Sequence, residues 1–208
     1  MNGPDFARRD AEDPLAALRE HFDLPPDVVY LDGNSLGALP RNVAARMERT
    51  VRHEWGAELV SGWNHHDWIS LPERVGERIA PLLGAAPGQV LCCDSISVNL
   101  FKLLSAALAL KPGRKVILSE AGNFPTDLYM AEGLQTLLGP GRCELRRLPA
   151  DRIPEGLGDD VAVLMLTHVD FRTGRRHDLD AITRAAHEAG TLVLWDLAHS
   201  AGVMPLAL

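Results

Sequence analysis

The 208-residue chain has only three cysteines, Cys92, Cys93 and Cys143. Two are adjacent and one stands alone, which excludes both a disulfide framework and a CxxC metal pair. Buried free thiols in a reducing compartment are the expectation. No apolar run approaches the ~20 residues of a membrane span, and residues 1–14 are polar and charged with no apolar core of a signal peptide. A soluble, cytoplasmic chain with no membrane partner is therefore expected. Clustered Lys and Arg are also lacking, and the formal net charge is −7. Phosphate backbones need such clusters, so no nucleic-acid partner is expected. The chain has no GxGxxG, no GxxxxGK[ST] and no GxSxG, so nucleotide loops and the hydrolase elbow lack their mechanics. Its eight histidines include His65-His66 but no HExxH, and no metal site is expected.

What is present suits one sizeable α/β domain: 46% hydrophobic and 24% charged residues. Residues 1–12 read as a loose arm. Residues 14–21 read as a short helix packing Leu15 and Leu18. Tyr30-Leu31-Asp32-Gly33-Asn34-Ser35-Leu36-Gly37 reads as a tight turn, because two glycines bracket Asn and Ser. Pro40 suits the first turn of a helix running to about Val60, and Pro72 that of one ending near Leu83. From residue 88 short apolar runs alternate with helical spacing. Gln89–Cys92, Lys115–Leu118, Cys143–Leu148, Val161–Leu166 and Thr191–Trp195 are strand candidates, and 98–110, 125–138 and 178–189 are helices. The alternation predicts a mostly parallel sheet with helices on both faces. The segment 203–208 stops directly after a strand and its loop, which reads as truncation and leaves an edge near Thr191–Trp195.

In open α/β sheets ligands bind beyond the carboxyl ends of the strands. Three segments fall there. Cys93-Asp94-Ser95-Ile96-Ser97-Val98-Asn99 leads into a helix, so its hydroxyls and free N–H groups suit an anion; taken alone, Ser95 or Ser97 is more often an ordinary N-cap. In Asn123-Phe124-Pro125-Thr126-Asp127, Phe124 is placed to stack on a flat ring. A hydrophobic staple, with Asp127 serving the helix N-terminus, explains the same residues. In Leu192-Val193-Leu194-Trp195-Asp196-Leu197-Ala198-His199 an acid ends an apolar strand, where burial is costly without a partner. A protonated pyridine nitrogen would be a fitting one. Arg172, Arg175, Arg176 and His177 form a basic loop after Val161–Leu166, ordinarily solvated and alternatively a partner for an anionic substrate.

These segments resemble, in order and spacing, the kynureninase family of fold-type I pyridoxal-phosphate enzymes. The motifs are residues 30–37, Asp94-Ser95-Ile96-Ser97-Val98-Asn99-Leu100-Phe101-Lys102, Asn123-Phe124-Pro125-Thr126-Asp127-Leu128-Tyr129, His168-Val169-Asp170-Phe171-Arg172-Thr173-Gly174 and Trp195-Asp196-Leu197-Ala198-His199-Ser200-Ala201-Gly202. The likeness runs from about Leu24 onward. It implies pyridoxal 5'-phosphate as cofactor, with Ile96 and Ser97 at its phosphate; Ser97 stands where threonine is usual in the family. It further implies Phe124 stacked on the ring, Asp127 and Thr167 beside it, Asp196 on its nitrogen and His199 in the same pocket. Asn34 and Ser35 would reach the substrate, L-kynurenine or 3-hydroxykynurenine. The implied products are anthranilate or 3-hydroxyanthranilate, with L-alanine. A homodimer is implied too. The turn at 33–37 and the run 123–127 speak against a cysteine desulfurase.

The family's Schiff-base lysine follows the Asp196 motif by roughly a strand and a turn, and the chain ends first. Lys102, Lys111 and Lys115, its only lysines, are placed elsewhere by sequence. No catalytic residue is expected on this chain, which is expected to be inactive alone or to serve as a binding or assembly module. The expected division is an arm and short helix over 1–30 and an incomplete large domain over 31–208.

Overall fold

The computed structural model describes residues 5–208, which fall into two compact units, one ending at Leu71 and one from Pro72 to Leu208. In the first, residues expected to form a loose arm instead make helix α1 (Phe6–Glu12), because Asp5 caps it by accepting the Arg8 N–H at 3.1 Å. Residues 1–4 of that arm lie outside the described residues. A 3₁₀ turn, Ala16–His21, follows. Leu15 and Leu18, expected to pack, are exposed: side chains three apart eclipse on a 3₁₀ turn, and here both face outward. Strands β1 (Phe22–Asp23) and β2 (Leu39–Pro40) pair antiparallel.

Pro40 lies in that bridge and does not start a helix. Helix α2 (Val43–Arg49) begins three residues later and widens into a π-helical stretch, Thr50–Trp55. The helical run ends at Trp55, short of the expected Val60, and α3 (Gly62–His65) is a single turn. The polar centre of this unit is Glu54, 4% exposed. Its carboxylate accepts from Arg46 Nη1 at 2.5 Å and Trp68 Nε1 at 3.2 Å.

The second unit carries the sheet. Helix α4 (Leu71–Leu83) matches the expectation for Pro72. Gln89–Cys92 does not form the expected strand, because it finds no partner strand among the described residues. It lies against α4, with the Cys92 N–H bonded to the Pro72 carbonyl at 3.2 Å. Gly76 permits this approach, since a Cβ there would sit 1.9 Å from the Val90 carbonyl oxygen. Cys92 and Cys93, expected to be buried, are consequently exposed, whereas Cys143 is buried.

After α5 (Ile96–Leu110) come β3 (Val116–Glu120), α6 (Pro125–Leu138), β4 (Glu144–Leu148), β5 (Val161–Thr167), α7 (Leu179–Glu188) and β6 (Leu192–Asp196). All four strands are parallel, in the order β4-β3-β5-β6, as the alternation predicts. β5 is buried along its whole length, as befits an inner strand of a two-sided sheet. β4 carries charge at the edge, where Arg146 pairs with Asp160 and Arg147 with Glu132, a pattern that discourages further pairing. β6 is the other edge and is half-buried.

The two faces follow from strand alternation. Ile117, Val163 and Met165 point to α5 and α6, where Leu100, Leu104, Leu128 and Leu134 complete one core. Val116, Leu118, Leu164 and Leu166 point the other way, to Ile153 and the Ala186 face of α7. Trp195 Nε1 donates to Thr183 Oγ1 at 2.9 Å, tying α7 to β6. α7 starts on the side-chain cap Asp178 and is followed by Gly190 at φ 72°, a left-handed position that glycine adopts without strain.

Candidate cofactor site

Strand alternation also delivers the polar groups. Thr167 continues the Val163–Met165 face of β5, and Asp196 continues the Leu192–Leu194 face of β6. The two are direct partners in the parallel register. Both therefore face the side that carries α6, where Asp127 occupies the first turn behind Pro125. Asp127 is 1% exposed, and Thr167 and Asp196 are also buried.

Asp127 does not serve its own helix terminus. Its Oδ2 lies 3.4 Å from Thr167 Oγ1, and its Oδ1 is buried with no hydrogen-bond partner among the described residues. Burial, and after it the neighbouring Asp196 carboxylate, push its pKa from 3.8 up to about 7. Thr167 has one proton to give, and Asn123 Oδ1 takes it at 2.5 Å. The longer contact to Asp127 Oδ2 is the weaker arm of the same hydroxyl and counteracts the rise of the Asp127 pKa, to which a hydrogen bond with Asp196 adds. Asn123 is itself held: its Nδ2 donates to Ser119 Oγ at 3.1 Å, and Ser119 Oγ donates to the Met165 carbonyl at 2.7 Å. Asp196 accepts the Ala198 N–H at 2.8 Å.

Above this pair the loops bring three rings together. Phe124 stands edge-on to Phe171 at 5.1 Å between centroids and to His199 at 6.1 Å. His199 Nδ1 donates to the Val169 carbonyl at 3.0 Å, so its neutral ring carries the proton on Nδ1 and leaves Nε2 open.

Helix α5 leads directly into β3, so its start lies toward the strand ends. Ser95, rather than Ser97, is the cap, accepting the Val98 N–H at 3.4 Å. Ile96 and Ser97 fill the first turn, where N–H groups lack intrahelical partners. Asp94, at φ 45°, pairs with Lys102 and raises that ammonium's pKa. Lys115 lies 3.7 Å from Glu144. Asn34 and Ser35 are exposed in the other compact unit, in a turn held by Ser35 Oγ donating to Asp32 Oδ1 at 2.9 Å.

The structure thus joins Asp127, Thr167 and Asp196 directly, and Phe124 with His199 through ring contacts. Ile96 and Ser97 stand apart from this group at the start of α5, and Asn34 and Ser35 belong to the other unit. Sequence reasoning missed Ser119, whose hydroxyl in an otherwise apolar strand was a readable signal. It also missed the Val169 carbonyl, which no sequence pattern marks.

The chain matches the aminotransferase class-V family model over residues 29–208. It belongs to that family. Among class-V relatives, it is 54% identical to the kynureninase of Deinococcus radiodurans over 204 residues, 96% of this chain and 49% of that protein. It is 53% identical to that of Burkholderia pseudomallei over 205 residues, again 96% and 49%. The chain spans about half the length of these curated relatives. In structure it is similar to a C-DES mutant with glycine covalently linked to its PLP cofactor, at TM-score 0.71 and 18% identity, covering 90% of this chain and 51% of the other. It is also similar to the cysteine desulfurase CsdA of Escherichia coli, at TM-score 0.61 and 22% identity, covering 92% and 50%. At these identities the likeness extends to the class-V fold alone. No helix among the described residues is long and apolar enough to cross a membrane.

Proposed function

We propose that this chain supplies the cofactor-ring half of a pyridoxal-phosphate-dependent kynureninase, acting on L-kynurenine or 3-hydroxykynurenine to give anthranilate or 3-hydroxyanthranilate and L-alanine. The observation that carries the reading is the buried Asp127–Asp196 pair, formed between the first turn of α6 and the end of β6, in a chain 54% identical to a kynureninase. Two carboxyls side by side, one with an orphaned oxygen, suit a cation placed against them. A protonated pyridine ring is such a cation, and Phe124 supplies an aromatic wall. When bound, pyridoxal phosphate supplies an electron sink for a carbanion beside the substrate's amino group.

The chain's own residues have separable tasks in this reading. Asp196 holds positive charge at the ring nitrogen. Asp127, poised near neutrality, adds a second negative charge when it loses its proton. Thr167 and Asn123 fix the pair's orientation, and His199 presents Nε2 to the same pocket. The first turn of α5, at Ile96 and Ser97, offers N–H groups and a hydroxyl to a phosphate, and Asn34 and Ser35 fall to the substrate. A homodimer in the cytoplasm, within tryptophan degradation, accompanies this reading.

The test joins this chain to the C-terminal half of the Deinococcus radiodurans kynureninase and assays the fusion for anthranilate release. The fusion should release anthranilate, and Asp196→Asn should retain bound cofactor while losing at least about 100-fold in turnover, a loss of about 2.7 kcal/mol in transition-state stabilisation. A folded, cofactor-loaded fusion that releases no anthranilate but desulfurates cysteine would overturn the assignment.

A further inference from the structure

The loop Val169–His177, basic in sequence, is neither free nor wholly solvated. It folds back on itself through a single bridge between Val169 and Arg176. Its tip is organised by Asp170, whose Oδ1 accepts from Arg172 N, Thr173 N and Thr173 Oγ1 at 2.8–3.0 Å. A two-stranded turn of this size does not hold its own shape in water. The His177 ring lies 6.3 Å from that of Trp195 on β6, and the loop's polar ties run to β3 and the loop after it. Glu120, the last residue of β3, has a side chain 13% exposed. Its Oε1 accepts from Arg175 Nη2 at 2.9 Å and its Oε2 faces His177 Nε2 at 2.9 Å. Two residues on, the Gly122 carbonyl accepts from Arg172 Nη2 at 2.9 Å.

The opposite side of the same loop sets the site. The Val169 carbonyl fixes the tautomer of His199, and the Phe171 ring lies against both Phe124 and His199. We propose that Glu120 is a positioning residue: it latches the 169–177 loop to β3, and the loop in turn orients His199 and Phe124. The Glu120 carboxylate has its hydrogen bonds to Arg175 and His177 of the loop, so the side chain acts through the loop. The functional meaning of the latch rests on the cofactor reading above; its geometry does not.

The experiment reads the tautomer of His199 directly. The full chain, ¹⁵N-labelled at histidine, is examined by long-range ¹H–¹⁵N correlation with no cofactor added, at a pH well above the ordinary histidine pKa. A His199→Asn spectrum assigns the signals. The wild type should show His199 protonated at Nδ1. In Glu120→Ala that form should fall from nearly the whole population to a minority, while Glu120→Gln, which keeps an acceptor for Arg175, should restore most of it. If Glu120→Ala does not fold, Arg175→Gln decides, because Arg175 is half-exposed and its loss spares the core. Its His199 should lose Nδ1 protonation in the same direction. A wild-type tautomer in folded Glu120→Ala, or failing that in Arg175→Gln, overturns the latch. Because no cofactor is present, a tautomer change in a chain whose fusion fails to bind pyridoxal phosphate would sink the cofactor reading and leave the latch standing.

Discussion

Replacing Asp127 by Asn should make the chain more stable at alkaline pH relative to wild type, and the size of the effect follows from the site. Burial and the Asp196 carboxylate raise the Asp127 pKa from 3.8 to about 7. Between those values the native chain holds a proton that the unfolded chain has released, so wild-type stability falls as pH rises through that window. The cost approaches about 4 kcal/mol above pH 7, and about 3 kcal/mol of it develops between about pH 5 and about pH 8. Asn at this position carries no charge and removes that dependence. His168, whose pKa burial depresses, pulls in the opposite direction, since it favours the folded state as pH rises. The difference between variant and wild type therefore isolates the Asp127–Asp196 pair, and any constant effect of the side-chain change cancels from its slope. Urea unfolding of both proteins across this range gives the curve. A difference that stays flat from about pH 5 to about pH 8 would refute the electrostatic account of the pair.

Two further outcomes test the packing of each unit separately. Leu104, fully buried between α5 and the sheet, should cost about 2–5 kcal/mol when changed to Ala, measured by denaturant unfolding; a loss under about 1 kcal/mol would show that α5 is not packed as described. In the first unit, the hydrogen bond from Arg46 holds the Glu54 carboxyl below its ordinary pKa. Its contribution is present above the ordinary carboxylate range and lost as pH falls through the lowered value. Glu54→Gln should therefore lower the unfolding midpoint at neutral pH and flatten the acid limb, with Trp68 fluorescence as the reporter; an unchanged acid limb would count against the pairing.

Much of the fold was legible because the signals were local. Pro125 and Asp178 mark helix starts that the structure reproduces, and the all-apolar run at Val161–Leu166 could only be an inner strand. The failures share a cause in the tertiary surroundings. Gln89–Cys92 has strand chemistry but no neighbour to bond, so the propensity goes unused and Cys92 and Cys93 face solvent. Pro40 suits a helix start as well as a strand end, and pairing with Phe22 decided between them.

The sequence alone determined that Asp196 ends an apolar strand, that Phe124 and Asp127 open a helix, and that these belong with a pyridoxal-phosphate family. Period-two alternation and capping chemistry are written in consecutive residues, so one chain suffices to read them. Only the tertiary structure decided that Asp127 turns from its helix toward Asp196, that Thr167 gives its proton to Asn123, and that Glu120 holds the loop on which Phe171 rides. Each of these joins residues some 40 to 70 positions apart. Register and strand order set their meeting, because a parallel sheet aligns the ends of strands that are distant in sequence, and neither is encoded in any short stretch of it.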